Sequence, residues 1–244
     1  MEMDQFLQNA LLMLTDYRDN SRIFPASDDF QFIDFCLSNI HHSRSQLLQD
    51  LFVLYELRAR PGGFFVEFGA TDGVELSNTH QLEKRFQWSG ILAEPARCWH
   101  QSLSRNRNCL IDARCVWEET GKYIEFTEAN SAEFSTIEAF SDSDHHSDKR
   151  AGGSTYQVET VSLLDLLVEH RAPKKIDYVS IDTEGSELAI LSGFDFSRFD
   201  IRTITVEHNY TAARDGIHSV LVKNGFVRKF EKFSRWDDWY VKRP

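Results

Sequence analysis

Residues Phe64 to Thr79 read FFVEFGATDGVELSNT. An apolar run ending in Glu67, a turn containing Gly69 and Gly73, and the onset of an amphipathic pattern predict strand, glycine-rich loop and helix, the helix running from about Glu75 to Phe86. In a doubly wound sheet such a corner holds a cofactor. Glycine at 69 permits close approach of backbone to ligand, and Gly73 lets the loop enter the helix without a Cβ clash. A dinucleotide fingerprint needs Gly-x-Gly-x-x-Gly, and here Thr71 replaces the middle glycine, so the approach required by a pyrophosphate is missing. Glu67 and Asp72 would repel a pyrophosphate and attract a ligand bearing an ammonium and a sulfonium.

Outward from this corner, strands and helices alternate. Ile91-Leu92-Ala93 predicts a second buried strand with Glu94 and Pro95 at its carboxyl end, about twenty residues after Gly73, where an acidic side chain accepts hydrogen bonds from both ribose hydroxyls. A helix over Ala96 to Ser104 leads to a third strand near Cys109 to Ala113. Ile176 to Ile181 predicts a fourth, followed by Asp182-Thr183-Glu184-Gly185-Ser186-Glu187, and Ile201 to Val206 a fifth, ending in Glu207-His208-Asn209. The last two strands, Phe226 to Phe230 and Trp236 to Val241, are close enough to pair antiparallel. The expected fold is α/β: a Rossmann-like sheet of seven strands, the last antiparallel, with helices on both faces.

Before the corner, Leu7, Leu11 and Leu14 recur at helical spacing, with Ala10 and Tyr17 on the same face, and a second helix starts near Ser27 or Asp28. Residues 1–44 are therefore expected to be an amino-terminal helical extension, covering the active site or forming a dimer contact, and 45–244 the catalytic domain. A third helix over Ser45 to Leu57 ends at Pro61-Gly62-Gly63, with Gln46, Gln49 and Asp50 on the surface or folded back toward the corner. Residues 115–127 read as extended, and Glu128 to Ser154, rich in Ser, Asp, Glu and His, as a long mobile loop whose His145-His146 pair is solvated.

Bulk properties narrow the class. A chain of 244 residues that is 41% hydrophobic, with 19 Phe, buries a substantial core. The formal net charge of −11 and pI near 5.3 argue against a nucleic-acid partner. With no basic-then-apolar leader and no apolar run long enough to span a bilayer, the cytoplasm is the expected compartment. Cys36, Cys98, Cys109 and Cys115 lack metal-site spacing, which fits reduced thiols, the last three as small buried hydrophobes.

Several of these segments together resemble the FkbM-type methyltransferases, whose donor is S-adenosylmethionine (SAM). The match rests on Val66-Glu67-Phe68-Gly69 with Asp72-Gly73, Leu76-Ser77-Asn78-Thr79, Ile91-Leu92-Ala93-Glu94-Pro95, Ile181 to Glu187, and Val206-Glu207, and covers about residues 45 to 242. The resemblance implies a SAM-dependent O-methyltransferase acting on a hydroxyl of a sugar, glycan or natural-product acceptor.

Within that framework Glu67, Gly69, Thr71, Asp72 and Gly73 would hold the methionine part of the cofactor, and Ser77, Asn78 and Thr79 would donate to its carboxylate. Glu94 and Pro95 would take the ribose, with the adenine near Ala113 and Arg114. Methyl transfer is an in-line displacement for which the acceptor oxygen must come within about 3 Å. A hydroxyl needs its proton removed as the bond forms, and His208 is the residue type best matched to that task, with Asp182, Glu184 and Glu207 as orienting groups or bases. Asp182 to Glu184 would alternatively cap the next helix. In a second mechanism Asp182 and Glu207, with Asn209 nearby, resemble the set by which some small-molecule O-methyltransferases hold magnesium. Two other classes stay open: an NAD(P)-dependent oxidoreductase or epimerase, disfavoured by Thr71 and the antiparallel last strand, and a non-catalytic SAM-binding or interaction module.

Overall fold

The computed structural model describes residues 3–128, 136–137 and 154–243. The His145-His146 pair and most of the expected loop lie outside them. The chain divides into two compact units, Met1–His41 and His42–Pro244. The first contains α1 (Met3–Ile23) and α2 (Asp28–Asn39), held to each other through Tyr17, which packs on Phe30 and donates its hydroxyl to Asp34.

The second unit runs α3 (Gln49–Glu56), β1 (Phe64–Phe68), α4 (His80–Phe86), β2 (Ser89–Ala93), α5 (His100–Asn106), β3 (Leu110–Asp112), β4 (Cys115–Trp117), β5 (Tyr123–Glu128), β6 (Thr136–Ile137), β7 (Ser154–Ser162) and α6 (Leu163–Glu169). It continues with β8 (Lys175–Ile181), α7 (Glu187–Gly193), β9 (Asp200–Glu207), α8 (Ala213–Lys223), β10 (Phe226–Lys229), α9 (Glu231–Ser234) and β11 (Asp237–Lys242). Seven strands form one sheet in the order β10-β11-β9-β8-β1-β2-β3. β11 is antiparallel to both neighbours, while β3, β2, β1, β8 and β9 are parallel. β1 and β8 start the two halves of the winding and are buried along nearly their whole length, so their apolar runs do not alternate. Their carboxyl ends, at the switch point of the strand order, are where such a sheet binds ligands.

Three local differences from the sequence expectation have identifiable causes. The helix after the glycine turn begins at His80, not near Glu75, because Asp72 Oδ1 accepts from the backbone N–H groups of Val74 and Glu75, and Leu76 is left-handed at φ 58°. Likewise α3 begins at Gln49: Leu48 is left-handed at φ 66°, and Ser45 instead bridges to Leu76. Residues 115–128, 136–137 and 154–162 join in a second, four-stranded sheet of order β4-β7-β5-β6, which the scattered polar alternation of these short segments did not reveal. That sheet packs Phe126 and Val158 on Ala96 and Cys115. Cys98, expected to be buried, is exposed in the turn before α5, and Cys109 is half-buried; Cys36 and Cys115 are buried.

Candidate active site

Glu67, the last but one residue of β1, is buried and surrounded by donors. Asn78 N–H donates to it at 2.7 Å, Thr79 Oγ1 at 2.5 Å and Ser77 Oγ at 3.1 Å. Asn78 Nδ2 donates to Ser180 Oγ at 2.9 Å. The set expected to grip the cofactor carboxylate is thus turned inward, and Glu67 serves as the internal anion that folds the loop. Its counter-charge is Arg107, a fully buried side chain absent from the sequence-based set. Arg107 lies 3.7 Å from Glu67 and 2.5 Å from Glu83, and donates to Gly73 O (3.0 Å), Ser77 Oγ (3.1 Å) and Thr79 Oγ1 (2.8 Å). This pairing holds Glu83 down to about 2 against the cost of its burial.

The two glycines are explained by the chain itself. A Cβ on Gly69 (φ +69°) would sit 2.1 Å from the carbonyl oxygen of Asp182, and one on Gly73 (φ +77°) would meet Arg107 Cγ at 2.6 Å. Gly69 therefore lets the turn after β1 press against the backbone after β8. Asp72 is occupied by the turn it caps.

At the end of β2, Glu94 is buried, with Oε2 accepting from Thr71 N–H and Oε1 from Ala96 N–H, both at 2.8 Å. Thr71 itself is left-handed (φ 47°). Each Glu94 oxygen accepts one such bond and has a further lone pair. Burial, with smaller contributions from Asp182 and Glu128, raises Glu94 to about 7 despite the two backbone donors. Pro95 follows, and the next turn is held by the small sheet: Tyr156 Oη accepts from Arg97 N–H at 3.1 Å and donates to Glu128 at 2.6 Å. At the end of β3, Asp112 accepts three bonds from Arg114, one from its backbone N–H and two from its guanidinium, and one from His170, so Arg114 is tied down and Ala113 is exposed beside it.

The ends of β8 and β9 carry the remaining candidates. Asp182, Glu184 and Glu207 each present an oxygen within 4.8 Å of the others. Glu184 is left-handed at φ 58°, and Glu207 Oε2 is buried with no hydrogen-bond partner. The carboxyls of Asp182 and Glu207, with oxygens within 4.8 Å of each other, are both pushed above the usual carboxylate range. Burial is the main cause, followed by the neighbouring carboxylates: Asp182 is raised to about 7 and Glu207 well above the usual range. Asp237, paired with Glu207 in the β9–β11 ladder, is raised to about 8 by burial and then by Asp182, although Gln49 donates to it at 2.8 Å. The helix-capping role considered for Asp182 to Glu184 is not seen: the N-cap of α7 is Ser186, with no side-chain cap bond, and Glu187 Oε1 instead ties the preceding turn by accepting from Thr183 and Gly185 N–H.

His208 does not join this cluster. Its side chain is fully buried on the side of Asp238: Nδ1 accepts from Tyr210 N–H at 3.0 Å, and Nε2 lies 3.8 Å from Asp238 Oδ1. Burial lowers its pKa. Successive residues at a strand end face opposite ways, so Glu207 turned toward Asp182 sends His208 away from it.

The carboxyl ends of β1, β2, β8 and β9 thus gather Glu67, Glu94, Asp182 and Glu207 where a doubly wound sheet binds its ligand, the arrangement of a ligand-binding α/β protein. The sequence model of the FkbM methyltransferase domain matches residues 67–241, and the chain belongs to that family. No curated protein matches it. Among solved structures it is similar to a precorrin-6y C5,15-methyltransferase from Geobacter metallireducens GS-15 (11% identity, TM-score 0.39, covering 74% of this chain and 71% of that one). It is also similar to a ribosomal protein L11 methylase from Lactobacillus delbrueckii subsp. bulgaricus (10%, 0.42, 80% and 77%) and a methyltransferase from Pyrococcus furiosus (11%, 0.38, 81% and 82%). Family membership makes this a methyltransferase with SAM as its implied donor. Among the described residues no helix is long and apolar enough to cross a membrane.

Proposed function

We propose that this protein transfers the SAM methyl group to a hydroxyl of a sugar, glycan or natural-product acceptor, with the Asp182–Glu207 pair as proton acceptor. The observation that carries this reading is the placement of that pair: two carboxyl groups with oxygens within 4.8 Å of each other at the ends of β8 and β9, where such a sheet binds its ligands. The strand ends fit the cofactor in charge, since Glu94, Asp182, Glu207 and Asp237 are costly to ionise together and a cationic ligand relieves that cost. When bound, the cofactor supplies a methyl group on a sulfonium, an electrophile that needs no further activation.

The chain's own residues do the rest. Glu94 accepts from the ribose hydroxyls, and the Gly69 turn positions the donor beside Asp182. As the acceptor oxygen takes the methyl group, the bond from that carbon to sulfur would break and release the neutral thioether, and the hydroxyl proton would pass to a carboxylate of the Asp182–Glu207 pair, whose raised proton affinity suits that transfer. His208, held by Tyr210 N–H, is not assigned a part in it.

Calorimetric titration with S-adenosylhomocysteine tests the cofactor seat. Saturable binding that weakens at least tenfold in Glu94→Gln supports it, and NADH binding in its place overturns it. For the acceptor half, Asp182→Asn is expected to retain thioether affinity and lose turnover on a panel of glycosides; full activity would remove the pair as base.

A second reading is favoured by the convergence of Asp182, Glu184 and Glu207 and the unpartnered Glu207 Oε2: these hard oxygen donors suit a magnesium ion, which would lower the acceptor pKa. Titration of chelator-treated protein with magnesium chloride alone separates the two. Heat of binding lost in Glu184→Gln supports the ion, and no binding leaves the carboxylate pair as the base.

A further inference from the structure

α1 buries none of its residues, although its apolar positions form one continuous stripe. Exposure along that stripe runs from 51% at Leu14 to 71% at Met3 and Met13. Six large side chains left this open amount to about 600 Å² of apolar surface, the upper end of what a monomer normally leaves uncovered. It approaches the roughly 800 Å² per partner of a standard interface.

The spacing is heptad-like. Leu7 and Leu14 fall at one seam position, with Met3 and Ala10 at the other; Tyr17, next in that second series, is taken up by Phe30 and Asp34 of α2, so the open seam runs from Met3 to Leu14. The two edges of the seam are unlike. One carries Asp4, Leu11 and Arg18 at seven-residue intervals, and the other Phe6, Met13 and Asn20, with no charge. In a parallel pair, the charged edge of one helix lies against the uncharged edge of the other. In an antiparallel pair each edge meets its own copy, and the charged edge is self-complementary: Asp4 faces Arg18, Leu11 faces Leu11, and Arg18 faces Asp4. The same alignment sets small Ala10 against Leu14 and brings Met13 against Met13.

We propose that α1 pairs antiparallel with α1 of a second copy of this chain. Arg18 forms a two-bond contact with Asp19 in its own helix, which uses two of the five guanidinium donors and leaves others for Asp4 of the second copy. A membrane surface fits the helix poorly, because it carries three Asp against two Arg and no Lys, whereas helices that lie on anionic lipid are rich in Lys and Arg. The inference is independent of the chemistry assigned to the sheet.

Sedimentation velocity of the full chain over a concentration series tests it. The wild type should self-associate to a dimer, and Leu7→Glu with Leu14→Glu should be monomeric with an unchanged circular dichroism spectrum. Asp4→Arg or Arg18→Asp alone should each weaken the dimer about tenfold, and the two together should return it to within about threefold of wild type. That recovery is a signature only the antiparallel pairing predicts. A monomeric wild type, a double swap that fails to recover, or binding to vesicles of phosphatidylglycerol and phosphatidylcholine without self-association overturns the proposal.

Discussion

Replacing Arg107 by methionine isolates the charge that folds the cofactor turn. Methionine fills most of the space of the arginine stem, so the loss is chiefly electrostatic. What goes is the counter-ion of Glu67 and Glu83, together with the donors to Gly73 O, Ser77 Oγ and Thr79 Oγ1. Removing one member of a buried pair costs about 3–5 kcal/mol, because the partner charge stays behind without compensation. For a chain of this size each kcal/mol moves Tm by about 2–4 °C, so a fall of roughly 6–20 °C is expected by scanning fluorimetry. The loss should shrink at mildly acidic pH. With Arg107 gone, burial pushes the Glu83 carboxyl up rather than leaving it near 2, and protonation then relieves the unpaired charge. Adding Glu83→Gln to Arg107→Met should recover part of the Tm, since it removes one orphaned charge. An Arg107→Met protein that melts within a degree or two of wild type across this pH range would refute the account of the turn.

Other outcomes follow from the same geometry. The carboxyls of Glu94 and Asp237 are raised to about 7 and about 8, so the stability they contribute is present below about pH 4 and lost as pH rises through 7 to 8; Tm of the unliganded protein should fall between mildly acidic and mildly alkaline buffer, and a rise would contradict the burial of these groups. Gly69→Ala combines a left-handed backbone with a Cβ 2.1 Å from Asp182 O, and should cost at least about 2 kcal/mol in urea denaturation and abolish S-adenosylhomocysteine binding; wild-type affinity would show that the two turns do not touch. His208→Ala should lower Tm while leaving thioether affinity intact and turnover within a few-fold of the wild type, and a large loss of turnover at unchanged Tm would return the histidine to the reacting centre.

The fold was legible where one residue type dictates one geometry. The apolar runs of β1, β8 and β9 identify buried strands, and the closely spaced last two strands identify the antiparallel edge that the ladder of Asp237–Val241 on Glu207–Thr203 displays. Glu94 was placed at the carboxyl end of a buried strand because strand end, spacing and the following proline all point to one position, and it lies there, directly after β2. Helix starts were misplaced where side chains compete with the backbone: Asp72 takes the N–H groups that would otherwise begin the helix at Glu75. Arg107 was invisible because its partners lie 24 to 40 positions away in sequence, and nothing local marks a buried arginine. His208 misled for the opposite reason: residue type suggested a base, but the alternation at the end of β9 turned it toward Asp238.

The contact between Gly69 and the Asp182 carbonyl has a bearing on how such a protein diversifies. On the function proposed above, the seat of the donor and the group beside the acceptor would be joined main chain to main chain, across the neighbouring strands β1 and β8. The line along which the methyl would travel is then built into the scaffold. Exchange of the surrounding loops would change the molecule that is methylated without realigning the reaction.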